Sequence, residues 1–310
     1  MHTYATLRTR LAALVAGRDR GAATEVSAYW RQHLAQFDAD DPLRRRRSGA
    51  TSFPGLASYS RAPVPRAVFT LANVILAPRG HRRIFRSAAY RAVRSVTARQ
   101  RRHLDFDAIK HAHILDMLER QVAPRAATVC VIGDGLANFV APALELTESY
   151  ARVISINLPE VLLTDSHLLE EAGVGASCIR LVTDAEQIAS AVDDPDVRLI
   201  LVSASAAEIV RGVRVDGFVN ISSMQEMTHS VIGEYFTTIR ASGGWFYCCN
   251  KVSKRLPDGT IVRFDEFPWG SPRWIVGPEQ CPWYRRAFSA RPPFVTRFSP
   301  TTHALLTWGK

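Results

Sequence analysis

From Pro124 to Asn250, short apolar runs alternate with stretches of helical periodicity: TVCVIG, ARVISIN, SCIRLVT, RLILVSA, DGFVNIS and WFYCCN. This alternation constrains the fold more than any other feature. A strand with one wet face alternates apolar and polar residues, whereas a strand covered on both faces reads as a continuous apolar run. Six such runs with helices between them predict a parallel, doubly wound sheet with helices on both faces. The tail reads differently. Asp258-Gly259 lies between two candidate strands in RLPDGTIVRFDEF, a hairpin signal, and PFVTRFSPTTHALLTWG supplies another possible pair. The expected fold is therefore α/β, a Rossmann-like doubly wound sheet with antiparallel C-terminal strands, preceded by a helical segment.

That segment, residues 1–120, is set apart from a sheet domain over 121–310. LRTRLAALVAG and ATEVSAYWRQHLAQF read as helices, 38–55 as a loop, and RAVFTLANVIL, HRRIFRSAAYRAVRSVTARQ and FDAIKHAHILDMLERQV as further helices. Their apolar residues are too few for an independent core, so a cap, a dimer contact or a substrate-binding role is expected. Residues 1–125 hold 23 Lys/Arg against 9 Asp/Glu and the rest 16 against 20, so the net charge of +10 arises entirely in the first part. RRRR at 44–47 and the arginines from Arg82 to Arg102 suit a phosphate-bearing substrate, an anionic surface or nucleic acid, and equally a solvated face. No window holds the roughly eighteen apolar residues a membrane helix needs, and the opening is too short and too arginine-rich for a signal peptide. A soluble cytoplasmic protein is expected. The five cysteines show no CxxC spacing and read as free core thiols, with no zinc site.

Within VCVIGDGLAN, 129–138, an apolar run breaks into Gly133-Asp134-Gly135. In a doubly wound sheet, glycines in the first turn let backbone N–H groups approach a ligand beyond the strand ends. A dinucleotide fingerprint would place a third glycine at 138, where Asn138 stands. The version present, Gly133, Gly135 and Ala137, better fits an adenosylmethionine loop, which seats no pyrophosphate. Asn157 ends the next run, with Leu158 after it, where a ribose-binding group is expected. Asp184 or Ser203 would contact the adenine, depending on which run is the third strand.

SSMQEMTHSVIGEYFTTIR at 222–240, preceded by DGFVN and followed by YCCN, Lys254, RFDEFPW and CPW, resembles the bacterial sugar O-methyltransferase family. The resemblance covers about 105–310, with an echo in SAYW at 27–30. It implies a class I methyltransferase fold, S-adenosylmethionine as donor and a saccharide or glycosylated metabolite as acceptor, with an anionic acceptor left open. Such enzymes commonly carry acids where this chain has Val131 and Asn157.

Methyl transfer to a hydroxyl requires in-line alignment and removal of one proton. Glu226 and His229, three apart on a starting helix, would share a face. His229 is the first choice for base because an imidazole titrates near neutral pH, with Glu226 orienting it, binding hydroxyls or acting as base. The structural alternative is a capping box of Ser222 and Gln225. His111 and His113 diverge on their helix. Trp269, Trp283 and Tyr284 could stack on a sugar or simply pack. Asp216 and Glu266 are the only candidates for a divalent ion, without a supporting cluster. Two other readings remain, a nicotinamide-dependent oxidoreductase, which lacks its third glycine and acid, and a nucleic-acid-binding protein on a degenerate methyltransferase scaffold. Nucleic acid is the less favoured partner, and a homo-oligomer is expected.

Overall fold

The computed structural model describes residues 3–18, 26–35, 79–102, 104–283, 286–288 and 295–308, with isolated positions among the rest. RRRR at 44–47, the loop at 38–55, Tyr284 and most of RAVFTLANVIL lie outside these residues. All six apolar runs form strands: β1 (Ala127–Ile132), β2 (Tyr150–Asn157), β3 (Ile179–Val182), β4 (Leu199–Ser203), β5 (Gly217–Ile221) and β6 (Trp245–Lys251). They join β9 (Arg273–Gln280) and β12 (Thr301–Thr307) in one eight-stranded sheet of order β3-β4-β2-β1-β5-β6-β12-β9. The pairs from β3 to β6 are parallel, and β12 runs antiparallel to both β6 and β9.

Strand parity divides the core. Val129, Val131, Val153, Leu201, Val219, Tyr247 and Leu305 face one side, whereas Cys130, Ile132, Ile154, Val202, Phe218, Phe246 and Leu306 face the other, as period-two side chains must. The second face is covered by α7 (Ala185–Asp193), through Ile188 and Ala191, and by α8 (His229–Ser242), through Ile232, Tyr235, Phe236 and Ile239. The first face meets the N-terminal helices. Leu11 of α1 (Tyr4–Arg18), Val93 and Val96 of α3 (Ala88–Arg99), and Leu115 and Leu118 of α4 (Phe106–Gln121) join the same buried cluster as β1 and β2. α5 (Val140–Glu145) and α6 (Pro159–Glu171) complete that layer. The basic segment has few apolar residues because it supplies one half of a core whose other half is the sheet.

HRRIFRSAAYRAVRSVTARQ, expected as one helix, divides at Ser87 into a 3₁₀ segment, Arg79–Arg86, and α3. Ser87 accepts from Tyr90 N at 3.1 Å and Asp105 from Ala108 N at 2.9 Å. Part of the arginine series is structural. Arg102 is buried and donates to Asn138 at 2.7 Å, and Arg99 bonds to the Ala172 carbonyl and pairs with Glu145. The expected hairpin around Asp258-Gly259 is β7 (Ser253–Arg255) against β8 (Ile261–Arg263).

The second possible pair does not form as such. β11 (Val295–Arg297) pairs with β10 (Arg286–Phe288), and β12 goes between β6 and β9. β12 buries Ala304, Leu305 and Leu306 completely, so it needs neighbours on both edges. β9 is an exposed edge strand carrying Pro278, and its sequence therefore lacks the continuous apolar signal. No described helix is long and apolar enough to cross a membrane.

Candidate functional site

β1 lies between β2 and β5, so the chain leaves it in one direction and returns on the other side: the switch point at which open α/β sheets hold ligands. A cavity of about 950 Å³ opens there, beyond the carboxyl ends of β1, β2, β4, β5 and β6. Gly133 follows β1 at φ 71°. A Cβ on it would lie 1.9 Å from Ser223 Oγ and 2.5 Å from Ser223 Cβ, so only glycine lets the turn after β1 lie against the turn after β5. Gly135 differs. A Cβ there meets nothing within 4 Å, and the residue lines the cavity.

The loop between is held from below. Leu136 and Ala137 adopt left-handed φ of 69° and 50°, a conformation that non-glycine residues avoid. Their N–H groups and the Asn157 amide face the carboxyl of Asp165, buried in α6. Leu136 also packs with Val161 and Leu168, against Leu158 and Trp30. Asp134 accepts from Phe139 N at 2.9 Å and Val140 N at 2.8 Å, satisfying the start of α5. Burial pushes its carboxyl up to about 6, although those two bonds oppose the shift. Asp165 is raised well above the ordinary carboxylate range, by burial first and then by the charge of Asp134.

Asn157 therefore works inside the loop. Its Nδ2 donates to the Asp134 carbonyl at 3.3 Å and its Oδ1 accepts from Leu158 N at 3.1 Å. Val131 is buried in the sheet core. The question of the third strand is answered by register: β4 is the neighbour of β2 and sets Ser203 opposite Asn157, both on the cavity wall. Ser203 Oγ lies 2.9 Å from Ser205 Oγ. Asp184 follows the outermost strand β3, where it caps α7 by accepting from Gln187 N at 2.8 Å, and it does not line the cavity. His111 lines the cavity 4.0 Å from Asp134, while His113 stacks on Trp283. Burial, and next Lys110, hold the His111 imidazole far below its ordinary range, so it is neutral. Lys110 lines the cavity and pairs with Asp107 at 2.9 Å.

The second end of the cavity corrects the pairing of Glu226 with His229. Residues 224–226 form a separate 3₁₀ turn, and α8 starts only after Thr228, whose Oγ accepts from Val231 N. His229 is the first residue of that helix, 51% exposed, 3.9 Å from Glu266 and outside the cavity. The Ser222–Gln225 capping box is also absent. Ser222 takes φ 60°, and Gln225 ties the turn to β6, donating its N–H to Asn250 Oδ1 at 3.1 Å and accepting from Lys251 N at 2.7 Å.

Glu226, in contrast, lines the cavity nearly buried. Lys254 Nζ lies 2.6 Å from its Oε1, and the Tyr29 hydroxyl and Gln225 side chain lie beside it. Lys254 also sits 3.7 Å from the centre of the Tyr29 ring. Burial raises the Glu226 carboxyl above its usual range, and Lys254 opposes that shift.

Tyr29 and Trp30 belong to α2 (Ala28–Leu34) and close this end of the cavity, together with Ala13, Leu14 and Gly17 of α1. The sequence reading found them only as the SAYW echo. Trp269 packs against Phe236 and Phe246, and neither it nor Trp283 lines the cavity. Asp216 sits at the opposite end of the sheet, accepting from Thr128 N, away from Glu266. Among the described residues no group of three potential ligands is placed to hold a metal.

A glycine turn at the switch point, a hydrogen-bonded loop beneath it and a two-ended cavity define an α/β protein of the doubly wound class. No protein family and no curated relative matches the sequence. Among solved structures, the O-methyltransferase TomG of Streptomyces achromogenes, in complex with SAM, is 14% identical, with 78% of this chain and 96% of that one covered and a TM-score of 0.39. MtNAS in complex with MTA and tNA is 10% identical over the whole of both chains, TM-score 0.41. The pyocyanin biosynthetic protein PhzM is 10% identical over 62% of this chain, TM-score 0.38, and the match spans 53% of PhzM.

Proposed function

We propose that this protein is an S-adenosylmethionine-dependent O-methyltransferase acting on a hydroxyl of a saccharide or glycosylated metabolite. The observation that carries the reading is the pairing, in one cavity, of an open glycine at 135 with a largely buried carboxylate at 226 held by Lys254. The space a Cβ would fill at Gly135 is room for the cofactor against the loop backbone. Asn157, Leu158 and Ser203 line the adenosine side, and Lys110 offers a cation to the carboxylate of the methionine portion. When bound, S-adenosylmethionine supplies a methyl carbon activated by its sulfonium. Glu226, on the cavity wall, would accept the proton that the acceptor's hydroxyl gives up. Lys254 and Tyr29 hold the Glu226 carboxylate in place, and the roof formed by Tyr29 and Trp30 excludes water.

Isothermal titration with S-adenosylhomocysteine is the test. Saturable binding with a raised Tm is expected, and no heat together with no thermal shift at millimolar ligand would overturn the reading. In Glu226→Gln, turnover should fall at least about a hundredfold while S-adenosylhomocysteine binds as before.

A further inference from the structure

We infer that Asp165 of α6 is a positioning residue of the donor half: its buried carboxyl holds Leu136 and Ala137 left-handed and so keeps the open side of Gly135 available to the cofactor. The donor role in this assignment rests on the methyl-transfer reading above. Val161, Asp165 and Leu168 are four and three residues apart along α6 and therefore share one face. Val161 and Leu168 pack with Leu136, which sets Asp165 as the one polar group between two apolar contacts with the loop.

Its neighbours in the helix show what is unusual about it. Thr164 and Ser166 are also buried, but their hydroxyls are satisfied inside α6, donating to the Glu160 carbonyl at 3.0 Å and the Leu163 carbonyl at 2.6 Å. Asp165 is 2% exposed, and its Oδ1 is buried with no hydrogen-bond partner elsewhere. A carboxyl so placed is costly unless donors face it. The donors here are the Leu136 and Ala137 N–H groups and the Asn157 amide; successive N–H groups of such a turn converge on an anionic or polar oxygen. The turn needs that support, because φ of 69° at Leu136 and 50° at Ala137 lies in a region that side chains disfavour, and neither residue is glycine. Gly135 and Leu136 line the cavity, so a turn that relaxed toward ordinary φ would carry the cofactor wall with it.

The experiment uses the full chain and reads amide exchange by NMR without ligand, then S-adenosylhomocysteine binding by titration. The Leu136 and Ala137 amides should be protected in the parent. In Asp165→Ala their exchange should quicken at least about tenfold, and S-adenosylhomocysteine should bind at least about tenfold more weakly. Asp165→Asn keeps an oxygen for the same N–H groups and should bind within about threefold of the parent. Ala137→Gly makes the left-handed conformation accessible without the carboxyl, so Asp165→Ala/Ala137→Gly should recover at least about threefold of the lost affinity, which a general loosening of α6 would not allow. Unprotected amides in the parent, parental affinity in Asp165→Ala, binding by Asp165→Asn more than about tenfold weaker than the parent, or no recovery in the double variant would overturn the inference. Should Asp165→Ala not fold, the parent's exchange rates and Asp165→Asn decide it. Failure of the methyl-transfer reading shows separately, as a parent with protected loop amides and no S-adenosylhomocysteine signal, and that result removes the donor role of Asp165 as well.

Discussion

The two glycines of the loop should fail in different ways when a methyl group is added. In Gly133→Ala the new Cβ would be placed 1.9 Å from Ser223 Oγ and 2.5 Å from Ser223 Cβ, at φ 71°. The left-handed conformation costs an alanine about 1–2 kcal/mol, and overpacking a filled site costs about 1–3 kcal/mol more. A loss of about 2–5 kcal/mol in unfolding free energy follows. Truncating the neighbour in Gly133→Ala/Ser223→Gly removes the collision but not the backbone term, and should recover roughly half of the loss. In Gly135→Ala the Cβ meets nothing within 4 Å, so stability should stay within about 0.5 kcal/mol while S-adenosylhomocysteine affinity falls at least about tenfold. Urea unfolding and isothermal titration on the three variants read both quantities. A Gly135→Ala protein that binds as tightly as the parent would refute the assignment of the open side of that glycine to the cofactor. An undisturbed Gly133→Ala would refute the argument from contact with Ser223.

Other outcomes follow from the same geometry. His229→Ala should retain near-parental turnover, since the imidazole lies outside the cavity; a loss beyond about tenfold would restore it to the mechanism. Tyr29→Phe removes the hydroxyl beside Glu226 and keeps the ring beneath Lys254; a several-fold fall in kcat, with the acid limb of its pH profile displaced, is expected, and an unchanged profile would separate Tyr29 from Glu226. Asp134 is raised from 3.8 to about 6 in the folded chain, so the native state holds this proton to higher pH than the unfolded chain. Its contribution favours folding most below the unfolded value and is lost as pH rises from about 4 through about 6, by about 3 kcal/mol. The unfolding free energy of the parent relative to Asp134→Asn should therefore decline across that window in urea titrations, and a difference independent of pH would contradict the burial argument.

The sheet was legible because each of its six parallel strands is covered on both faces and declares itself as an unbroken apolar run. β9 was not, because an exposed edge strand carries no such run. The sequence also left open which strand stands beside β2, since strand order is set by crossovers and not by composition. Register settled it for Ser203. At the acceptor end, spacing misled. Glu226 and His229 are three apart, but Thr228 caps a new helix between them. The signal was present in Thr228 standing just before the periodic Val231, Ile232, Tyr235 and Phe236. Tyr29 was out of reach by any local rule, since its partner Glu226 lies almost two hundred residues away.

The roof over the acceptor end has a consequence for how such a protein diversifies. Loop and sheet come from the chain after Pro124, Lys110 and His111 reach the cavity on α4 before it, and Tyr29 and Trp30 arrive on one short helix near the N-terminus. Because Trp30 also packs with Leu136 and Leu158, exchange of that single element would alter both ends of the cavity.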